Sequence, residues 1–328
     1  MKKRWLLLVV MLLLAACSSA PVEEPSAEAV PAEEMAEEEP APAEESAEEK
    51  AAEGEAVEPS LTGKIVFTSN REGDPETSRL FVLDTASGEI TQVDVSPRIP
   101  ILPKWSPDGK QVLFTDVLEF FLYKVDVTSG EIVQLTDFRS NNGDWSPDGS
   151  RIVFQSNHEI PSGLPDLFVM DADGSNKSQI LEAPDTLEFS PRWSNDASQV
   201  LFVSEREGQT NLFVLGLADE SITQITDLDQ PVTEIAWSPD GSRIVYAMGE
   251  NPGQDLYVID AAGESEPVRL TDDGQFNTFP AFSPDGERIV FKSDAGGQSD
   301  LWVVGADGSG LERLTDDEWN DLFPDWGQ

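Results

Sequence analysis

An all-β, six-bladed β-propeller is the fold this 328-residue sequence predicts, and three observations predict it. A segment of the form aromatic-Ser-Pro-Asp-Gly starts at Trp105, Trp145, Trp237 and Phe282, with a variant, Trp193-Ser-Asn-Asp-Ala197. Successive anchors lie 40, 48, 44 and 45 residues apart, and a further aromatic, Trp326, follows 44 residues later. Between anchors lie short β-branched and aromatic runs bounded by Gly, Pro, Asp and Ser, which read as strands.

Each repeat carries four such runs. Strand A ends at the aromatic anchor. Ser-Pro-Asp-Gly then fits a tight turn, because Pro presets φ, Asp caps its own backbone and Gly accepts positive φ. Strand B follows at Gln111–Phe114, Arg151–Phe154, Gln199–Val203, Arg243–Tyr246 and Arg288–Phe291. Strand C is Phe121–Asp126, Asp166–Met170, Asn211–Leu215, Asp255–Ile259 and Asp300–Val304. Strand D ends in Leu135-Thr136, Ile225-Thr226, Leu270-Thr271 and Leu314-Thr315. Lys64–Ser69 is a strand B with no strand A before it, and Phe323–Trp326 is a strand A with nothing after it. The two are expected to pair and close the ring, which leaves no open sheet edge at the join.

These residues also carry a family resemblance. Trp-Ser-Pro-Asp-Gly-x-x-Ile-Val-Phe, then Asp-Leu-aromatic-Val-x-Asp, then Leu-Thr, is similar to the PD40 repeat of TolB-like propellers, and the likeness spans residues 63–328. It implies a propeller that binds a protein in the bacterial envelope. Orthodox TolB has an α/β domain ahead of its propeller, and here an acidic segment stands in that place.

The segment before residue 63 reads as an address, an anchor and a stalk. Residues 1–16 are a cationic start (Lys2, Lys3, Arg4) and the apolar run Trp5–Ala16, which is too short to span a bilayer and reads as a signal peptide. Leu14-Ala15-Ala16-Cys17 resembles a bacterial lipobox, which implies cleavage before Cys17 and a diacylglyceryl group on its sulfur. Two or more acyl chains anchor a protein stably where one does not. Residues 17–62 are dominated by Ala, Glu, Pro and Ser and read as a disordered linker. The expected location is extracytoplasmic, on the outer leaflet of the cell membrane or in the outer-membrane compartment.

The net charge is −42 overall and −31 within the last 268 residues, which argues against a nucleic-acid partner. Cys17 is the only cysteine, so no disulfide is available within the propeller. Asp108, Asp148, Asp240 and Asp285 recur in one turn, so a turn role accounts for them better than catalysis does. Asp171-Ala-Asp173-Gly-Ser-Asn176 opens like a calcium loop, but has Asn where that loop needs Gly. His158, the only histidine, reads as a loop residue. No metal or cofactor is expected.

In a propeller the A–B and C–D turns share one face and the longer B–C and D–A loops the other. Variable loops on a rigid scaffold favour binding. The residues ahead of each anchor are expected at the channel rim: Arg98, Lys104, Arg139, Asn141, Arg192, Glu234, Asn277 and Asp321. Arg98, Arg139 and Arg192 are expected to form a local cationic element there. The function expected is that of a monomeric, lipid-anchored, non-catalytic module for an envelope protein or peptide. The alternatives are a carboxylate-dependent glycan hydrolase or lyase, or a sugar-binding lipoprotein.

Overall fold

The computed structural model describes residues 61–71, 77–158, 160, 162–183, 185–206, 208–250 and 253–328. The expected signal peptide, Cys17 and the expected linker up to residue 60 lie outside the described residues. Leu61–Gln328 forms one compact unit, and the secondary structure of its described residues is entirely β.

Six four-stranded antiparallel sheets follow one another, as expected. Blade 1 is β4 (Pro100–Trp105), β5 (Gln111–Asp116), β6 (Phe121–Asp126) and β7 (Ile132–Gln134). Blade 2 is β8 (Ser140–Trp145), β9 (Arg151–Ser156), β10 (Asp166–Asp171) and β11 (Ser178–Gln179). Blade 3 is β12 (Glu188–Trp193), β13 (Gln199–Ser204), β14 (Asn211–Gly216) and β15 (Ile222–Gln224). Blade 4 is β16 (Val232–Trp237), β17 (Arg243–Met248), β18 (Asp255–Asp260) and β19 (Val268–Arg269). Blade 5 is β20 (Asn277–Phe282), β21 (Arg288–Ser293), β22 (Asp300–Gly305) and β23 (Glu312–Arg313). Blade 6 closes the ring with β24 (Asp321–Gly327) beside β1 (Lys64–Ser69), β2 (Arg79–Asp84) and β3 (Ile90–Val93).

The closing pair is in register from Lys64↔Gly327 to Ser69↔Asp321. The Trp326 indole donates to the Thr62 carbonyl at 2.9 Å. Gly63 is required here: its φ is +95°, and a Cβ would stand 2.3 Å from the Gly327 carbonyl oxygen.

The core lies between blades. Each of six apolar clusters joins two neighbouring sheets; Val66 and Leu80 of blade 6, for example, pack with Trp105, Phe114 and Tyr123 of blade 1. Strands B and C place aromatics directly opposite one another, Phe67↔Phe81, Phe114↔Tyr123, Phe154↔Phe168, Phe202↔Phe213 and Tyr246↔Tyr257, with ring centroids 5.7–5.9 Å apart. Such pairs add to area burial and fix register.

Strand D is shorter than the sequence reading suggests. The Thr of each Leu-Thr pair lies beyond the strand, and its hydroxyl accepts the strand C N–H: Leu122 to Thr136 at 2.9 Å, and Leu212 to Thr226, Leu256 to Thr271 and Leu301 to Thr315 at 3.0 Å. A side chain thus satisfies a ladder donor that backbone would otherwise meet.

The Ser-Pro-Asp-Gly turns are built alike. Ser106 donates to Asp108 Oδ1 at 2.7 Å and accepts from Gln111 N at 2.9 Å. The same Ser-to-Asp bond recurs at Ser146, Ser194, Ser238 and Ser283. C–D turns bond to A–B turns, as in Val127 N to the Lys110 carbonyl and Ala172 N to the Ser150 carbonyl, so both lie on one face. The B–C and D–A loops bond to each other on the opposite face, as in Val117 N to the Ile99 carbonyl.

Candidate functional site

The axis is lined by the six inner strands, and each carries a bulge. Pairing with strand B slips between Ile101 and Lys104, Asn141 and Asp144, Phe189 and Arg192, Val232 and Ile235, and Thr278 and Ala281. In five blades the residue three before the anchor has positive φ: Leu102, Asn142, Ser190, Phe279 and Phe323. A non-glycine residue in that region marks a purposeful backbone feature. Phe279 and Phe323 meet edge-to-face at 4.6 Å. With Leu102 and Glu234 they narrow the axis to a cavity of about 20 Å³. This throat separates two mouths.

The turn-face mouth opens on a pocket of about 420 Å³. The residues immediately before the anchors stand there: Lys104, Asp144, Arg192, Ala236, Ala281 and Asp325. Lys104 Nζ pairs with Asp325 Oδ1 at 2.7 Å. Asp325 also accepts from Trp105 N, and Asp144 accepts from Trp193 N, both at 2.9 Å. Burial pushes Asp144 above the ordinary carboxylate range against the pull of Arg192 and Lys104. Burial likewise raises Glu234, partly buried in the throat.

At the loop-face mouth the inner strands begin with buried residues, among them Glu188, Asn277 and Asp321. Two are held by matching arginines. Arg71 binds Ser69 Oγ through its N and Nε, donates to Asp321 at 2.7 Å, and lies 5.3 Å from the Phe67 and Phe81 centroids. Arg206 does the same with Ser204, with Glu188 at 2.9 Å, and with Phe202 and Phe213. Burial still raises both acids. Asn277 is held by Asp273 at 2.8 Å.

The sequence-predicted rim residues divide between these levels. Arg98 reaches Glu119 at 3.3 Å and Asp116 at 3.5 Å and covers the Tyr123 ring at 4.4 Å. Arg139, exposed, lies over Phe120 at 4.8 Å. Both flank one B–C turn, Val117–Phe120, at the loop mouth. Leu118 at its tip is 67 % exposed. Asn141, Asn277 and Asp321 stand at the inner-strand starts of blades 2, 5 and 6, and Glu234 in the throat. Lys104 and Arg192 stand at the far end of their strands. Arg192 shares no partner with Arg98 or Arg139 among the described residues, and a six-residue strand, about 16 Å, separates those levels. The structure therefore brings Arg98 and Arg139 to one turn and places Arg192 elsewhere.

The arginine braces went unread in the sequence. Their signal was there: Ser69-Asn-Arg71-Glu-Gly73 and Ser204-Glu-Arg206-Glu-Gly208 follow strand B in two blades. In blade 2 His158 occupies the arginine's place, binding Ser156 Oγ through its N at 3.0 Å and stacking on Phe138 at 3.9 Å.

The repeat signature is shared with known proteins. Residues 162–327, just over half of the chain, match the PD40 family, the TolB beta propeller domain. The chain belongs to the TolB beta propeller family. A Tol-Pal system protein TolB from Francisella tularensis subsp. holarctica is 32 % identical to this TolB-like propeller over 101 residues, 30 % of the chain and 23 % of that protein. The chain thus matches about a quarter of the length of the curated relatives. The crystal structure of TolB from Acinetobacter baumannii has the same fold, with TM-score 0.70 at 20 % identity over 82 % of this chain and 67 % of that one. An oligogalacturonate lyase from Vibrio parahaemolyticus is a more distant neighbour, with TM-score 0.53 at 15 % identity over 79 % of this chain and 76 % of that one. These structural likenesses speak to the fold.

Proposed function

We propose that this TolB-like propeller is a lipid-anchored, extracytoplasmic binding module that holds a protein partner of the cell envelope at its loop mouth. The observation that carries the reading is the Val117–Phe120 turn. It offers an exposed leucine flanked by Arg98 and Arg139 on the face where the blades differ most. Arginines are among the residues enriched at interface hot spots, and Leu118 adds exposed apolar surface beside two that lie over aromatic rings. The family supports the reading, since its curated relatives are named as Tol-Pal system proteins. Cys17 supplies the anchor in this reading, and the acidic linker the reach.

The test has two arms. Fatty-acid labelling should mark wild type and fail on Cys17→Ser, which should leave the membrane fraction. Cross-linking in cells should trap one envelope protein on wild type, and Leu118→Asp with Arg139→Ala should lose at least ~10-fold of it, as removal of a hot spot does. A control, Val268→Asp, on the outer edge of blade 4, should keep it. Equal trapping by the rim variant and wild type would remove the loop mouth from the reading.

A further inference from the structure

At the turn mouth two of the six blades share a device that the other four do not supply. In blades 6 and 2 the residue before the anchor is Asp325 or Asp144, and its carboxylate accepts the anchor N–H of the next blade, Trp105 or Trp193. Those N–H groups therefore point toward the axis. Trp237↔Ile244 and Phe282↔Ile289 hold the same register as Trp193↔Val200, so their N–H groups point the same way. The blade behind presents Arg192 to Trp237 and Ala236 to Phe282, and likewise Lys104 to Trp145 and Ala281 to Trp326. None of these side chains can accept a hydrogen bond. Arg192 and Ala236 are the neighbouring pair that combines a buried cation with an apolar wall.

Arg192 sharpens this. It is 8 % exposed. Its Nε donates to the Ile235 carbonyl, and its Nη1 to Asn142 Oδ1 and the Pro191 carbonyl. Nη2 has no hydrogen-bond partner, and the guanidinium has no ion-pair partner within 4.0 Å, among the described residues. Asp144, Asp325 and Glu234 favour its charge from a distance, yet burial still weighs against the cation and no anion closes on it. The space beside it is the 420 Å³ pocket, a volume in the range of small-molecule sites, walled on this side by Ala236, Ala281, Phe282 and Pro284.

We infer that the turn mouth is a binding site for a small monocarboxylate with an apolar body. The carboxylate lies over Ala236. It accepts from Arg192 Nη2 and from the N–H of Phe282, as Asp144 accepts from Trp193. The apolar body rests on the alanine side of the pocket. Charge-assisted bonds to a guanidinium are the strong kind. Asp144 and Asp325 on the same rim disfavour a dianion such as phosphate. This site is independent of the loop mouth and of any partner held there.

Benzoate titrated into the full chain by calorimetry tests the inference. Saturable one-to-one binding is expected, with Kd on the order of 1 mM or tighter. Arg192→Gln should weaken it at least ~10-fold, since a charged hydrogen bond is lost. Ala236→Asp supplies the carboxylate within the chain, as blades 2 and 6 do, so it should abolish benzoate binding and raise the melting temperature. That second variant decides the matter if Arg192→Gln fails to fold. No saturable heat with wild type, unchanged affinity in a folded Ala236→Asp, or phosphate binding as tightly as benzoate would each overturn the assignment.

Discussion

The two mouths of the axis are built on opposite plans. At the turn mouth five of the six blades repeat one device, a serine that donates to the aspartate two residues on, while the residue before each anchor varies. At the loop mouth little repeats beyond the matching braces of blades 3 and 6. Blade 1 buries Asp116 under Arg98, blades 3 and 6 bury Glu188 and Asp321 under Arg206 and Arg71, and blade 5 ties Asn277 to Asp273. The lesson is that repetition makes the ring and departures from it make the surfaces. A repeated side chain serves packing or a turn. A side chain that breaks the repeat, such as Arg192 beside Ala236, is where a site should be sought.

The comparison assumes that the ring is closed at one seam, and removing Phe323–Gln328 breaks it most severely. The deletion exposes one whole edge of β1, opens the cavity between blades 5 and 6 where Trp326 packs, and removes the Phe323 plug. Loss of one buried Trp or Phe alone costs about 3–5 kcal/mol. The truncated chain should lose its single cooperative thermal transition. An unchanged transition by calorimetry would mean that the seam carries no stability.

A smaller effect tests whether blades 3 and 6 are equivalent at the loop mouth. Arg206→Ala leaves Glu188 buried without its cation, and Arg71→Ala does the same to Asp321. Breaking one partner of a buried pair costs about 3–5 kcal/mol, so both variants should shift the urea midpoint by similar amounts. Adding Glu188→Gln to Arg206→Ala should recover part of the loss. Loss in one blade alone would show that the matching geometry is coincidental.

Sequence and structure agree where physics is local and repeated. Anchor spacing sets the number of blades, and Pro, Asp and Gly at fixed offsets fix the turns. The lone strand B at Lys64 and the lone strand A at Phe323 mark the seam, because an unpaired edge has to find a partner. Agreement ends where contacts are long-range. Proximity to an anchor brings a residue to the axis but leaves its depth open. The expected cationic element joined Arg98, Arg139 and Arg192 on that basis, although Arg192 stands one residue before its anchor and Arg139 six before its own. The inner-strand bulge was likewise hidden, since Leu102, Ser190 and Phe323 are not residues that announce positive φ. The Leu-Thr pairs were legible as strand ends, but the hydroxyl that accepts the strand C N–H becomes visible only once strands C and D are paired.

The smallest effect separates the turn aspartates from the buried acids of the loop mouth by the sign of their response to pH. The turn aspartates are held low by the bonds they accept. Asp148 falls to about 2 through Ser146 and Ser150, Asp240 to about 2 through Ser238 and Ser242, and Asp196 to about 2 through Ser198 and Ser194. A depressed carboxylate contributes stability that is present above its unfolded value, near 4, and is lost as pH falls toward 2. Burial moves Glu188 and Asp321 the other way, so their contribution is present at low pH and lost as pH rises through their raised values. Asp148→Ala should therefore lower the urea midpoint modestly at pH 7, and its gap from wild type should shrink as pH falls from about 4 to 2. A gap that stays constant across that window would mean that Asp148 acts through turn geometry alone, without its charge.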